Sequence, residues 1–322
     1  MKTIISHKTA FYFYRFLRMQ ENFQIDNFPA ESQAIVPANF DTQNLNRAET
    51  MFSGLAFRQR PNFLIRDCKK THKMPEVKFY SSNLKYPINS FIKISDGLYI
   101  PSPELLFYQL TQISDYPSLM LAGIEICGAY SMCPDGNQFN KANSITSPKS
   151  IKSYLNNLAK LNNKVPNIRK SLNAAMYLGE NSYSPQESML YIMFSSPRHL
   201  GGYGIRNLEF NTAVTLSSKA KKICNQEYIF PDISNPKKKI AIEYDSETFH
   251  DNSSQNTKDK LRINALQSDG WRVFSFVKSN TYNVNALHQM ATDILQANGQ
   301  EKRINTKNFE SKRNDLHRSL YF

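Results

Sequence analysis

Acidic residues placed within an apolar strand pattern constrain this chain more than any other feature. The run Ile240–Asp245 carries Glu243 and Asp245 in alternation, and Asp232 ends the apolar segment before it. Carboxylates are disfavoured inside strands, and burying them is costly unless a cation or a partner compensates the charge. We therefore expect a β-hairpin that gathers carboxylates around a divalent cation.

The net charge of the chain favours an anionic partner. Its 40 lysines and arginines exceed its 27 aspartates and glutamates, which gives a formal charge of +13 at pH 7. An excess of positive charge is typical of proteins that bind nucleic acid. We expect nucleic acid, and DNA in particular, although basic charge alone also fits a protein that needs it only for solubility.

The cysteine pattern and the lack of long apolar segments indicate in which cellular compartment the protein resides. Four scattered cysteines match neither a zinc site nor a disulfide framework, which favours a reducing environment. The first residues have no apolar core of signal-peptide length, and no stretch approaches the ~20 apolar residues of a membrane helix. The sequence predicts a cytoplasmic protein without a membrane segment.

The pattern of elements predicts an α/β protein, α+β overall, in two domains and a tail. Residues 1–178 are predicted to form an N-terminal α+β recognition or interaction region, in which Ser95-Asp96-Gly97 marks a hairpin and Ser102-Pro103 begins a helix. Residues 179–300 are predicted to form the second domain, and residues 301–322 a charged, frayed tail.

The second domain is predicted to run helix–strand–strand–helix–strand–helix, which is an α/β layer arrangement. The expected elements are a helix over 184–194, strands over 225–233 and 239–246, a helix over 257–268, a strand over 271–277 and a helix over 283–297.

Strand alternation sends Glu243 and Asp245 to the same face, and Asp232 can approach Glu243 across the hairpin. Mg²⁺ prefers hard oxygen ligands and usually keeps several waters, so two or three carboxylates suffice to bind it. A metal held in this way can polarise a phosphodiester and lower the pKa of a bound water.

An ordered set of motifs resembles the PD-(D/E)XK nuclease superfamily, and within it the very-short-patch-repair-like endonuclease domains. The set comprises Pro231-Asp232, Glu243-Tyr244-Asp245, His250, Asp259, Arg262 and Gly270-Trp271-Arg272-Val273. The resemblance covers roughly residues 180–298. It implies a restriction-endonuclease-like core, a central mixed sheet flanked by helices, with Asp232 and Glu243 as ligands of Mg²⁺ or Mn²⁺. It also implies Glu187 as the acidic residue of the preceding helix.

One residue departs from the superfamily pattern. Asp245 stands where many members have lysine, two residues after the glutamate. The positive charge at the reacting phosphate would then come from Lys260, Arg262 or His250, or from a second metal bound partly by Asp245.

The N-terminal region resembles abortive-infection antitoxins of the AbiEi type. The residues that carry this likeness are Ile5–Ala10 and Ser95–Leu105. The resemblance implies phage defence or mobile-DNA biology, and a protein partner for this region.

Each candidate residue also has a structural interpretation. Glu187 can complete a capping box with Ser184. Glu243 can form a buried ion pair with Arg262, and Asp259 can pair with Arg262 along its helix. His250 can be an ordinary solvated loop residue.

Three functions therefore stay open at this point. They are a Mg²⁺-dependent endonuclease, a non-catalytic DNA-binding regulator or antitoxin-like protein that keeps the nuclease-like fold, and an interaction scaffold.

Overall fold

The computed structural model describes residues 2–20, 23–32, 35–38, 40, 60–68, 76–133, 136–245 and 253–322 of the 322. The chain divides into two compact units, Met1–Leu178 and Gly179–Phe322. Both mix helices with strands, so the chain is a mixed α/β protein, compatible with the α+β class.

A five-stranded sheet organises the first unit. Its strands are β1 (Thr3–Ile5), β2 (Asn62–Ile65), β3 (Lys78–Ser81), β4 (Phe91–Ser95) and β5 (Leu98–Pro101). Their order across the sheet is β3-β2-β1-β5-β4, with β1 parallel to β5 and antiparallel to β2. The hairpin predicted at Ser95-Asp96-Gly97 is confirmed: β4 and β5 pair antiparallel, and Gly97 takes a φ of +77° that favours glycine.

Helices and a small hairpin complete the first unit. They are α1 (His7–Arg18), α2 (Pro103–Thr111), α3 (Tyr116–Cys127), α4 (Pro148–Leu161), α5 (Ile168–Ala175) and the strand pair β6 (Tyr130–Met132) and β7 (Phe139–Lys141). The predicted start of α2 is confirmed, because Ser102 Oγ accepts a hydrogen bond from the Leu105 amide at 3.3 Å and Pro103 is the first helical residue.

An ion pair between the partly buried Arg15 and the buried Glu125 joins α1 to α3. Arg15 donates from Nε and Nη2 to the two carboxylate oxygens of Glu125, at 2.8 and 2.6 Å. The Met132 amide donates to the same carboxylate at 3.1 Å. These bonds satisfy a charge that would otherwise be costly to bury.

A four-stranded sheet organises the second unit, in the order β13-β12-β11-β8. The strands of this unit are β8 (Glu209–Phe210), β9 (Val214–Thr215), β10 (Tyr228–Ile229), β11 (Ile233–Asn235), β12 (Ile240–Asp245) and β13 (Arg272–Val277). Its helices are α6 (Pro185–Ser195), α7 (Ser218–Cys224), α8 (Ser253–Ser268), α9 (Lys278–Tyr282), α10 (Val284–Ala297) and α11 (Phe309–Tyr321).

The central hairpin of this sheet differs from the prediction in one respect. The sequence predicts a single strand over 225–233, but β10 pairs with β9 in a separate sheet and only β11 pairs with β12. Pro231 lies between β10 and β11 and has no amide hydrogen to donate to a ladder. From β12 the chain crosses through α8 to β13, which runs parallel to β12.

The prediction of a frayed C-terminal tail is wrong. Residues Phe309–Tyr321 form α11, which buries Phe309, Leu316 and Leu320. His317 Nε2 also lies 2.8 Å from the carbonyl oxygen of Thr281. These apolar residues recur at helical spacing among the charges, so the segment packs against its own unit.

The core of the second unit includes the single tryptophan. Trp271 is 8% exposed and belongs to a cluster that also contains Val214 and Leu266. Within the described residues, no helix combines the length and the apolar character needed to cross a membrane.

Candidate active site

The register of the β11–β12 hairpin brings two predicted site residues face to face. Ile233 pairs with Ile242, and Ser234 with Ala241. One step further along the same antiparallel ladder, Asp232 stands opposite Glu243. Residues directly opposite on one face of an antiparallel pair have Cβ atoms about 4.5–5.5 Å apart. The structure therefore fixes the register that the sequence left open.

Reciprocal hydrogen bonds hold the two carboxylates in place. The Tyr244 amide donates to Asp232 Oδ2 at 2.7 Å. In return, the Asp232 amide donates to the carboxylate of Glu243. Each acid is thus anchored by a main-chain N–H of the opposite segment, so the local backbone orients both side chains.

The pKa values of both carboxyl groups are raised. Burial raises the pKa of Asp232 to about 6, although the Tyr244 amide and the charge of Arg262 oppose this shift. Burial and then the negative charge of Asp232 raise the pKa of Glu243 to about 8. Two partly buried acids that face each other on neighbouring strands repel each other when both are ionised. A cation bound between them would remove this repulsion.

Glu187 lies at the first turn of α6 and is held by a capping arrangement. Its amide donates to Ser184 Oγ at 3.2 Å, and Ser184 Oγ donates to Glu187 Oε1 at 2.9 Å. The Tyr183 amide, rather than the expected Ser184 amide, donates to Glu187 Oε2 at 3.0 Å. Burial and then the charge of Asp232 raise the pKa of Glu187 to about 7, so this acid also lies within electrostatic range of Asp232.

Asn211 links Glu187 to Asp232, a role that no motif in the sequence indicated. Its amide nitrogen Nδ2 donates to Glu187 Oε2 at 3.0 Å and to the Asn181 carbonyl at 2.8 Å. Its main-chain amide donates to the Asp232 carbonyl at 3.1 Å. Asn211 has a φ of +46°, a conformation that asparagine tolerates better than most residues. An asparagine between two short strands is too common a pattern to have indicated this role.

Arg262 on α8 supplies positive charge near the pair of acids. It lowers the pKa of both Asp232 and Glu243. Its Nη2 donates to the Phe230 carbonyl at 3.2 Å, and its Nη1 lies 3.9 Å from Asp259 Oδ1. The expected helical pair between Asp259 and Arg262 is therefore present, alongside a longer-range effect of Arg262 on the two acids.

The remaining predicted residues contribute less to this cluster. Asp245 is exposed at the last position of β12, and Lys260 is exposed on α8. His250, predicted as a catalytic residue, lies outside the residues that the structure describes.

Two carboxylates, rather than the four that the sequence predicts, are placed so that they could bind one magnesium ion. No three His, Cys, Asp or Glu side chains of the described ranges lie together as a group that could hold a metal ion. The predicted ligand set of Asp232, Glu243, Glu187 and Asp245 is thus not assembled as such a group. Mg²⁺ is commonly held by one or two carboxylates and several waters, and Asp232 with Glu243 meets that requirement.

Comparison of the chain with known proteins finds no matching family model, no similar curated protein and no similar solved structure.

Proposed function

We propose that this protein is a metal-dependent nuclease that hydrolyses phosphodiester bonds of nucleic acid, most simply DNA. The observation that carries the proposal is the opposed pair Asp232 and Glu243, with pKa values raised by burial and, for Glu243, by the charge of Asp232. Acids with perturbed pKa values are concentrated at functional sites. The restriction-endonuclease-like fold is part of this proposal, supported by the order β13-β12-β11 and by the α8 crossover.

In this mechanism Asp232 and Glu243 would hold Mg²⁺ through their carboxylates, and a bound Mg²⁺ would supply polarisation of a phosphodiester oxygen and a water of lowered pKa. Arg262 provides the positive charge that many superfamily members obtain from lysine. Glu187 keeps its capping bonds. When it is ionised, its negative charge adds to the repulsion among the acids that a bound cation would relieve. The acids must lose their protons before they bind a cation, so activity is expected to rise with pH.

A second function has its own supporting observation. The described residues contain no ready group of three metal ligands, and Asp245 occupies the usual lysine position. Both features fit a DNA-binding regulator that keeps the nuclease-like architecture without catalysis. Such a protein would bind nucleic acid with an affinity that falls steeply as salt rises, but would not cleave it. A role in phage defence stays a prediction of the N-terminal resemblance.

Cleavage assays separate the two functions. The full chain would be incubated with Mg²⁺ and labelled duplex DNA, single-stranded DNA or RNA, with EDTA as the metal-free control. We expect Asp232→Asn and Glu243→Gln to lower the cleavage rate at least ~100-fold, since metal catalysis contributes several kcal/mol.

Both substitutions keep an oxygen that accepts the observed main-chain hydrogen bond, so the hairpin is preserved. Asp293→Asn is a matched control, because Asp293 lies on α10 and forms a half-exposed ion pair with Lys302 at 2.9 Å. Equal rates for all four proteins, or cleavage by none of them under any condition, would contradict the nuclease proposal.

A further inference from the structure

Three aromatic side chains of the second unit are about half exposed to solvent. Tyr183 and Tyr228 are each 48% exposed, and Phe230 is 52% exposed. Single apolar side chains on a surface are ordinary, but a group of them usually marks a binding surface. The positions of these rings relative to the acid pair decide between the two cases.

Phe230 lies beside Asp232 and is held there through its main chain. It stands two residues before Asp232, so the two Cα atoms are at most about 7 Å apart. The Phe230 carbonyl accepts a hydrogen bond from Arg262 Nη2 at 3.2 Å. The same arginine places its charge near Asp232 and Glu243. The arginine that acts on the acids therefore also fixes the backbone under this exposed ring.

Tyr228 projects to the same side of the chain as Phe230. Exposed and buried residues alternate here, because Tyr228 and Phe230 are exposed whereas Ile229 and Pro231 are buried. This alternation is that of an extended segment, in which every second side chain points to the same side. Tyr228 is fixed by the pairing of β10 with β9, where it stands opposite Thr215. The two rings thus form one continuous aromatic strip that leads to Asp232.

Tyr183 reaches the acids from a second chain segment, the loop before α6. Its amide donates to Glu187 Oε2 at 3.0 Å, and the same oxygen accepts from Asn211 Nδ2 at 3.0 Å. The Asn211 amide in turn donates to the Asp232 carbonyl at 3.1 Å. Three short hydrogen bonds therefore connect the main chain at Tyr183 with that at Asp232. All three exposed rings belong to the surroundings of the acid pair.

Helix α8 adds positive charge to this surface. Lys258 and Lys260 are exposed, and Lys258 shares a helix face with Arg262 because the two are four residues apart. Asp259 lies between the lysines, and its Oδ1 is 3.9 Å from Arg262 Nη1. Exposed rings beside exposed cations are the combination with which proteins bind single strands of nucleic acid. The cations follow the phosphates, and the bases stack on the rings.

We propose that Tyr183, Tyr228 and Phe230 are a stacking surface for unpaired bases, and that the strand bound at the acid pair is therefore single-stranded DNA. In a duplex the faces of each base are covered by its neighbours, whereas an unpaired strand offers them to protein rings. The inference rests on the proposed nuclease function only in placing the reacting phosphate at Asp232 and Glu243. The stacking itself requires no catalysis.

Fluorescence anisotropy of the full chain in EDTA tests the proposal without any cleavage. The probes are a short labelled DNA strand, a duplex of the same length, and the same strand with abasic sites, which keeps the phosphates but lacks the bases. We expect the intact strand to bind at least ~10-fold more tightly than either of the other two. The duplex carries more phosphate charge, so charge alone would favour the duplex.

Two ring variants locate the stacking. Phe230→Ala and Tyr183→Ala are each expected to weaken binding of the intact strand at least ~5-fold and to leave the abasic strand unchanged. The two residues lie on separate segments, so each variant tests the proposal if the other does not fold. Lys258→Ala should instead weaken the intact and the abasic strand by the same factor, roughly threefold, because it removes a phosphate contact.

Phe139→Ala is the matched control, since Phe139 is a 39% exposed phenylalanine on β7 of the first unit. It should bind all three probes as the wild type does. Equal binding of the intact and abasic strands would overturn the proposal, as would tighter binding of the duplex or wild-type affinity in both ring variants. A dimer of the wild type that Phe230→Ala dissociates would identify the rings as a contact between copies, and would also overturn it.

Failure of this inference is distinguishable from failure of the nuclease proposal. Selective binding of the intact strand through the rings, with no cleavage in Mg²⁺, would support the stacking surface and contradict the nuclease alone. Cleavage that needs Asp232 and Glu243 but proceeds equally on duplex and single strands, unaltered in both ring variants, would contradict the stacking surface alone.

Discussion

Asp232 and Glu243 stand opposite each other across the β11–β12 hairpin, and each is anchored by a main-chain amide of the opposite segment. This arrangement holds two acids together although burial raises the pKa of both, and the charge of Asp232 raises the pKa of Glu243 further. A protein gains no stability from such a pair in the absence of a cation. This cost supports the proposal that the pair binds a cation.

Magnesium should stabilise the folded protein through this pair. At a concentration 100 times the dissociation constant, binding to the folded state alone adds about 2.7 kcal/mol. We expect Mg²⁺ to raise the Tm of the wild type by several degrees at pH 8, and to leave the Tm of Asp232→Asn and Glu243→Gln unchanged. Thermal unfolding with and without Mg²⁺ measures this, and an equal Tm increase in all three would count against the site.

The stability of the metal-free protein should depend on pH with a defined sign. Glu243 has a folded-state pKa of about 8 against an ordinary value of 4.5, so the folded state holds its proton more tightly than the unfolded state. This contribution is present below about pH 4.5 and is lost as the pH rises through 8.

We therefore expect Glu243→Gln to be more stable than the wild type in EDTA at pH 8.5, by at most ~5 kcal/mol. The difference should shrink towards zero at pH 4, where the wild-type carboxyl is largely protonated in both the folded and the unfolded state. Urea denaturation of both proteins across this range provides the comparison. A difference that grows as the pH falls would have the wrong sign.

Asn211 should be required for the position of Glu187. Asn211→Gly removes the donor to Glu187 but tolerates the φ of +46°, and is expected to cost about 1–2 kcal/mol. Asn211→Ala loses the same bond and must also adopt a left-handed conformation, which adds about 1 kcal/mol. Chemical denaturation of both variants and the wild type measures the two costs. A wild-type stability for Asn211→Gly would show that the side-chain bond contributes nothing, and Asn211→Ala no less stable than Asn211→Gly would contradict the cost of the left-handed backbone.

The buried ion pair of the first unit should be essential for stability. Glu125→Gln leaves the largely buried guanidinium of Arg15 without a counter-charge, which is expected to cost about 3 kcal/mol. Glu31→Gln is the control, since Glu31 pairs at 3.2 Å with the more solvent-accessible Lys2 and such pairs contribute about 1 kcal/mol or less. Similar unfolding free energies for the two variants would contradict this account of the pair.

The regular elements were largely predictable because their signals are local. Ser102 followed by Pro103 correctly predicted the start of α2, and the Ser95-Asp96-Gly97 turn correctly predicted the β4–β5 hairpin. In each case the cap, the turn or the apolar spacing lies within a few residues.

Features that depend on tertiary packing were not predictable. The break between β10 and β11 follows from which strand each segment pairs with, and α11 is stable because its apolar residues find a surface of the second unit. Asn211 matters only because the chain brings it beside Glu187, 24 residues away in sequence. The sequence indicated which acids to consider, but not that only Asp232 and Glu243 would face each other.

Anomalous diffraction from crystals grown with Mn²⁺ tests the central claim most directly. Mn²⁺ is a stand-in for Mg²⁺ that scatters strongly enough to be located. We expect one strong peak with a carboxylate oxygen of Asp232 and one of Glu243 both within about 2.0–2.3 Å. A peak bound by neither acid, or an Arg262 guanidinium seated between the two carboxylates with no metal present, would contradict the account.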